Sequence, residues 1–313
     1  MTSKESLLVI GAPVPVIEQG LAQRFDLVRE ARAGIRGVAV AGGHKRIDGA
    51  WMDTLPELEI VSSLGVGYDH VDAREAARRG VVVTHTPDVL TGEVADLAMC
   101  LLLSTIRQIP QADRFLRAGH WLKGAMPLTT TLRERKVGIL GLGRIGKAIA
   151  KRLDASDVTV EYHGRNPQEG VSYRYHPTLL GMAKACDVLL VVASGGAETH
   201  HIVNAEVLKA LGPDGILINV GRGSVVDEAA LVEALQNKSI LSAGLDVFED
   251  EPRVPPALIA LDHVVLLPHV GSASVYTRKA MAQLVVDNLV AWFDGRGALT
   301  AVPECKHLGA GKR

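Results

Sequence analysis

The chain has 313 residues, 47% of them hydrophobic, and a formal net charge of −1, so it can bury a sizeable core in one large or two ordinary domains. That balance supplies no basic field for nucleic acid or an anionic membrane, and neither partner is expected. Cys100, Cys186 and Cys305 lie far apart, with neither metal-ligand spacing nor a disulfide framework, as free thiols in a reducing cytosol would.

The first apolar run, Leu7–Ile10, soon meets Pro13 and Pro15 and reads as a strand, because a secretory signal needs a longer apolar region and a cleavage site. No uncharged apolar run reaches the ~20 residues of a membrane span, so a soluble, cytoplasmic protein is expected. A helix is predicted over Val16–Arg24 and another over Ala73–Arg79, between strands at Gly37–Ala41, Glu59–Ser62 and Val81–Thr84. Such alternation implies a parallel sheet with crossover helices. Thr91–Arg107 reads as a connecting helix with Thr91 as its N-cap, and an irregular arm follows over Ala118–Thr131. The alternation then resumes with strands at Lys136–Leu140, Thr159–Tyr162, Val188–Val192, Gly215–Asn219, Ser242–Asp246 and Val264–Leu267. About six strands suit a full dinucleotide-binding sheet. A long helix over Thr277–Phe293 returns the chain to the first domain, and the polar Glu304–Arg313 tail is expected to be disordered.

The strand at 136–140 runs into Gly141, Leu142, Gly143, Arg144, Ile145 and Gly146, a Gly-x-Gly-x-x-Gly turn opening an amphipathic helix. Gly141 permits the tight turn, Gly143 lets backbone approach a pyrophosphate, and Gly146 lets helix pack on strand. The helix N-terminus offers N–H groups and a partial positive charge to the phosphates. An acid at the end of the next strand would hold the adenosine ribose of NAD. Here the strand runs instead into His163, Gly164, Arg165 and Asn166. Arg165 can pair with a 2′-phosphate, which argues for NADP over NAD; alternatively it is a solvated loop residue.

Ligands in such sheets bind at the strand carboxyl ends. Three strand ends carry chemistry: Val220, Gly221 and Arg222 follow one, Asp246 and the acids 249–251 another, and His269 with Gly271 the third. Singly, each has a structural reading; together, in register with a nucleotide fold, they favour catalysis. His200 and His201 follow Thr199 in a predicted helix without a partner acid at metal spacing, so no metal site is expected. His70 reads as a structural hydrogen-bonding residue.

Over almost its whole length the chain resembles the D-isomer-specific 2-hydroxyacid dehydrogenases. The likeness rests on Leu64 to Asp72, the turn at 141–146, Ile218 to Glu228, Ala243 to Pro252 and Leu267 to Gly271. Thr86 to Thr91, Val94 to Ala98 and the Gly164–Asn166 segment make it most similar to the NADPH-linked glyoxylate/hydroxypyruvate reductases and their hydroxyphenylpyruvate reductase relatives. The resemblance implies an α/β protein of two domains, a Rossmann-type doubly wound parallel sheet over 103–280 and a smaller flavodoxin-like α/β substrate domain from 1–102 and 281–313. It implies catalytic Arg222, Glu251 and His269, with Glu251 rather than Glu249 or Asp250 because it directly precedes the proline. Substrate would be held by Leu64, Val66, Gly67 and Arg222. Cofactor would be held by Leu142, Gly143, Arg144, Ile145, Gly146, Gly164, Arg165, Asn166, Val220, Gly221, Asp246 and Gly271. A homodimer follows, with Trp121 on an arm that packs at the interface or lines the partner's pocket. The implied reaction is NADPH-dependent reduction of glyoxylate or hydroxypyruvate. Its rivals are an aryl 2-oxo acid reductase and a dinucleotide-sensing interaction protein of the corepressor type.

Overall fold

The computed structural model describes residues 4–42 and 45–308. They fall into two compact units, one drawn from Met1–Leu90 and Ser274–Arg313 and the other Thr91–Ala273.

The first unit holds a five-stranded parallel sheet: β1 (Ser6–Ile10), β2 (Asp26–Val28), β3 (Gly37–Val40), β4 (Ile60–Ser63) and β5 (Val82–Thr84), ordered β2-β1-β3-β4-β5. All four residues of β3 and of β4 are buried, as expected of parallel strands covered on both faces. β2 carries only three part-exposed residues and gives no periodic signal in the sequence. Helix Val275–Phe293 belongs to this core through Ala282, Val285, Val286 and Leu289. Residues 304–308, the described part of the Glu304–Arg313 tail, are more ordered than their polarity suggests. Pro303–Leu308 forms a 3₁₀ helix with Cys305 fully buried and Glu304 accepting a 3.0 Å hydrogen bond from Tyr68 Oη, while residues 309–313 lie outside the described ones.

The second unit holds seven parallel strands: β6 (Lys136–Leu140), β7 (Thr159–His163), β8 (Arg174–His176), β9 (Val188–Val191), β10 (Ile216–Asn219), β11 (Ser242–Leu245) and β12 (Val265–Leu266). Their order is β12-β11-β10-β9-β6-β7-β8, so the chain winds outward from β6 and then restarts at β9 on its other side. The switch point between β6 and β9 is where such sheets bind ligands. β8 is one strand more than the sequence indicates. It is polar, and it is held by a buried contact between His176 and Glu161 of β7.

Two helices shift the expected boundaries at 102/103 and 280/281. Thr91–Ile106 packs on the second sheet at Gly244 of β11, where a Cβ would lie 2.3 Å from Thr105 Oγ1 and 3.0 Å from Leu101 Cδ1. The cuts therefore fall at Thr91, the first residue of one helix, and Ser274, the N-cap of the other. Thr91 is the helix's first residue rather than the cap before it. The arm is preceded by an unforeseen helix, Ile109–Arg117, which is amphipathic, with Ile109, Ala112, Phe115 and Leu116 at helical spacing, yet buries none of its residues. A 3₁₀ turn at His120–Leu122 interrupts the irregular stretch beyond it.

Among the described residues no helix is long and apolar enough to cross a membrane. Cys100 is exposed, whereas Cys186 and Cys305 are buried, and burial above all pushes the Cys186 thiol up to about 12. Native protein treated with an alkylating reagent at neutral pH is expected to leave Cys186 and Cys305 unmodified until it unfolds, because the thiolate is the nucleophile. Peptide mapping checks this, and rapid labelling of Cys186 in folded protein would contradict the packing described.

Candidate active site

The glycine turn has the geometry that its sequence requires. Gly141 sits at φ +97, in the region glycine favours, and Gly143 is the N-cap of helix Arg144–Leu153. A Cβ on Gly146 would lie 2.3 Å from the Gly141 carbonyl oxygen, so only glycine lets this helix close on the turn. On Gly143 a Cβ would meet nothing within 4 Å and its φ is negative. Gly143 is therefore glycine for no reason internal to the fold, which is what close approach of a pyrophosphate demands. Leu142 is buried beneath the turn, and Arg144 and Ile145 open the helix.

Beyond β7, Gly164, Arg165 and Asn166 form a short loop with Arg165 and Asn166 exposed. Its ends are tied down. Gly164 O accepts from Tyr175 Oη at 3.2 Å, and Gln168 N donates to Tyr162 Oη at 2.9 Å. Gln168 Nε2 donates to Leu142 O at 2.7 Å, joining the arginine loop to the glycine turn. Gln168 leaves no mark in the sequence, because a loop glutamine bonding to a distant carbonyl has no motif. His163, at the end of β7, instead faces the His176 carbonyl oxygen through Nδ1 at 2.8 Å.

The β10, β11 and β12 ends converge within the same unit. Asn219, 1% exposed, accepts from Gly221 N and donates to Arg222 O, both at 3.0 Å, and so folds the turn through Val220 and Gly221 that presents Arg222. Arg222 Nη1 also donates to the Gly221 carbonyl oxygen at 2.8 Å. Glu251 is gripped through Oε1 by Phe248 N at 3.0 Å, leaving Oε2 2.6 Å from His269 Nδ1. The carboxylate is largely covered while the imidazole is about half exposed, so the remaining ring nitrogen is the one open to a reactant. Glu249 and Asp250 point elsewhere: Glu249 meets His201, and Asp250 pairs with Arg253.

His269 adopts φ +52, unusual for a side chain of that size. The loop that imposes it is held by Asp246, whose two carboxylate oxygens accept from Val270 N at 2.7 Å and Gly271 N at 2.8 Å. Burial pushes the Asp246 carboxyl up, and those two bonds pull it back. Asp246 thus anchors the histidine loop, a part that its position after β11 did not disclose. Gly271 leaves it room, since a Cβ there would lie 3.0 Å from Asp246 Oδ2.

In the other unit, Leu64, Val66 and Gly67 lie in the loop after β4. Gly65, at φ +145, is held by Thr86 on both sides, its N donating to Thr86 Oγ1 and its carbonyl accepting from Thr86 N. His85 Nδ1 lies 2.9 Å from the Val66 carbonyl oxygen. Among the described residues no acceptor takes the N–H of Val66 or Gly67, so the loop presents two donors. His70, read as structural, lies 3.2 Å from Ser63 Oγ.

One expectation is overturned here. Residues 198–201 form a turn, not a helix, and an acid does stand beside the histidines: Glu249 Oε1 is 2.7 Å from His201 Nε2, from 48 residues away in the chain.

Residues 99–271 match the family described as D-isomer specific 2-hydroxyacid dehydrogenase, NAD binding domain. The chain belongs to the D-isomer-specific 2-hydroxyacid dehydrogenases. It is 49% identical over 281 residues to a hydroxyphenylpyruvate reductase of Plectranthus scutellarioides, covering 90% of this chain and 89% of that protein. It is 45% identical over 298 residues to the glyoxylate/hydroxypyruvate reductase A HPR2 of Arabidopsis thaliana, covering 91% and 95%. Among solved structures it is similar to the NADPH-dependent glyoxylate/hydroxypyruvate reductase of Sinorhizobium meliloti in complex with NADP and malonate, with TM-score 0.94, 53% identity and 99% of each chain covered. The family's two parallel-sheet α/β domains are the two units described above.

Proposed function

We propose that this dehydrogenase reduces glyoxylate or hydroxypyruvate to the D-2-hydroxy acid, with NADPH preferred to NADH. The observation that carries the reading is the His269–Glu251 pair at 2.6 Å, set on the same sheet end as Arg222. NADPH, when bound, supplies hydride to C2 of the oxo acid. Gly143 and the N–H groups of helix Arg144–Leu153 are suited to its pyrophosphate, and Arg165 to its 2′-phosphate. Val220, Gly221, Asp246 and Gly271 lie at the strand ends where the nicotinamide end is expected. His269 gives a proton to the carbonyl oxygen, and Glu251 keeps the imidazole aimed and balances its charge. Arg222 takes a carbonyl or carboxylate oxygen, and the Val66 and Gly67 N–H groups suit a carboxylate. The similarity to a reductase whose structure holds NADP supports the cofactor assignment.

The test is NADPH oxidation with hydroxypyruvate beside NADH at equal concentration. Arg165→Ala is expected to raise the KM for NADPH about tenfold, as loss of a charge-assisted pair would, and to leave that for NADH unchanged. Gln168→Leu should shift the same way more weakly, since it frees the loop without removing the charge. Equal effects on both cofactors would remove the phosphate role of Arg165.

A second reading, reduction of hydroxyphenylpyruvate, is favoured by the 49% identity to a reductase of that name. Comparing kcat/KM for the two oxo acids separates them, and no turnover of either would favour the sensing protein. A homodimer is supported by the apolar residues left in water on the arm and the helix before it: Leu116, Trp121, Leu122 and Leu128 are 54–101% exposed. The free thiols support a cytoplasmic setting.

A further inference from the structure

We propose that His200, His201 and Glu249 form a binding site for a divalent transition-metal ion of the zinc type. One ligand atom from each lies within 4.8 Å of the others. The two imidazoles lie beside each other with centroids 3.9 Å apart and planes 23° from parallel, close enough for side-chain rotation to aim a nitrogen of each at one ion, and Glu249 Oε1 reaches His201 Nε2 at 2.7 Å.

Adjacent residues in extended chain point to opposite sides, so two successive rings rarely lie face to face. Here His201 takes φ +51, a left-handed conformation that a β-carbon-bearing residue rarely adopts, and this turns the second ring onto the first. The turn is pinned on both flanks: Thr199 Oγ1 donates to Ser194 O at 2.7 Å, and His201 N donates to Ser224 O at 2.8 Å. Glu249 is set by the short turn that follows Phe248, with its own N–H directed at Glu228 Oε1 at 3.3 Å.

Two neutral imidazole nitrogens and one carboxylate oxygen are the ligands of an open tetrahedral zinc site, with water completing the shell. Mg²⁺ and Ca²⁺ prefer oxygen-only shells, so the donor set selects against them. His200 and Glu249 are exposed, which leaves an entry path. The site is joined to two catalytic segments, one through a ligand and one through a backbone hydrogen bond. Ser224, which accepts from His201 N, is two residues beyond Arg222, and Glu249 is two before Glu251. A bound ion would therefore cross-link the 198–201 turn to the strand end that carries Glu251, and raise the melting temperature by mass action.

Untagged protein carrying Cys100→Ser, which removes the exposed thiol, is titrated with ZnCl₂ by calorimetry, with MgCl₂ run in parallel. The expected result is one zinc ion per chain with micromolar affinity, a rise in melting temperature, and weak or no magnesium binding. His200→Ala and Glu249→Gln should each weaken zinc binding by about tenfold or more, as loss of one of three protein ligands would, with far-ultraviolet circular dichroism unchanged. Zinc binding that survives both substitutions but disappears in His269→Gln would assign the ion to the catalytic pair and overturn the proposal. So would no zinc binding at millimolar concentration, or magnesium binding as tight as zinc.

Discussion

Replacing His269 with glutamine should lower kcat by about 10²–10⁴-fold, the usual worth of a positioned general acid, while the Kd for NADPH stays within about twofold. Glutamine keeps an amide able to meet Glu251 but cannot release a proton to an alkoxide. The geometry makes the separation sharp. His269 is held by Glu251 Oε2 at 2.6 Å and by a loop whose next two N–H groups bond to Asp246, so the substitution removes a proton donor without freeing the loop. Steady-state turnover with hydroxypyruvate, alongside NADPH binding by fluorescence, decides it. Turnover near the unsubstituted rate would remove the histidine from the chemistry. Loss of turnover together with loss of NADPH binding would indicate a collapsed loop instead, and Asp246→Asn would then give the same result.

Gly223→Ala should both destabilise the protein and abolish most of its activity. Its Cβ would lie 1.9 Å from Phe248 C, 2.0 Å from Phe248 O and 2.3 Å from Glu249 N. All three are backbone atoms, so no flexible side-chain end can swing aside. Gly223 is needed for space: its φ is not in the left-handed region, and it is the point where the Arg222 segment crosses the Glu251 segment. Overpacking a core costs about 1–3 kcal/mol and more where backbone must move. At ~3 kcal/mol the melting temperature of a unit this size falls by roughly 6–12 °C. Phe248 N also holds Glu251 Oε1 at 3.0 Å, so the displacement passes directly to the partner of His269. Gly143→Ala is the contrasting case. Its Cβ meets nothing within 4 Å, so stability should hold while the KM for NADPH rises. Calorimetric melting with kinetics on both variants tests the pair, and an unshifted melting temperature for Gly223→Ala would refute the crossing.

Much of the fold and of the site is legible in the order of the amino acids. The strand–turn–helix at 136–153, the alternating strands of both sheets and the three strand ends bearing Arg222, Glu251 and His269 all announce themselves over a few consecutive residues. The short edge strands β2 and β8 do not, because three residues without apolar alternation carry no period. Helix Ile109–Arg117 did carry a signal: Ile109, Ala112, Phe115 and Leu116 recur at helical spacing beside Pro110 in its first turn, although none of its residues is buried.

What the sequence by itself determined is the local chemistry: which turns need glycine, which strands are apolar, and which acids, bases and cations follow them. These depend on φ preferences and on periodicity, which act over a handful of neighbours. Only the tertiary structure decided which distant groups meet. Gln168 ties the arginine loop to Leu142, Asp246 grips the two N–H groups beyond His269, and Gly223 yields its side chain to Phe248. Glu249 arrives beside two histidines that looked alone. Such contacts are set by how the strand ends are ordered across the sheet, a property of packing between segments that no single segment contains.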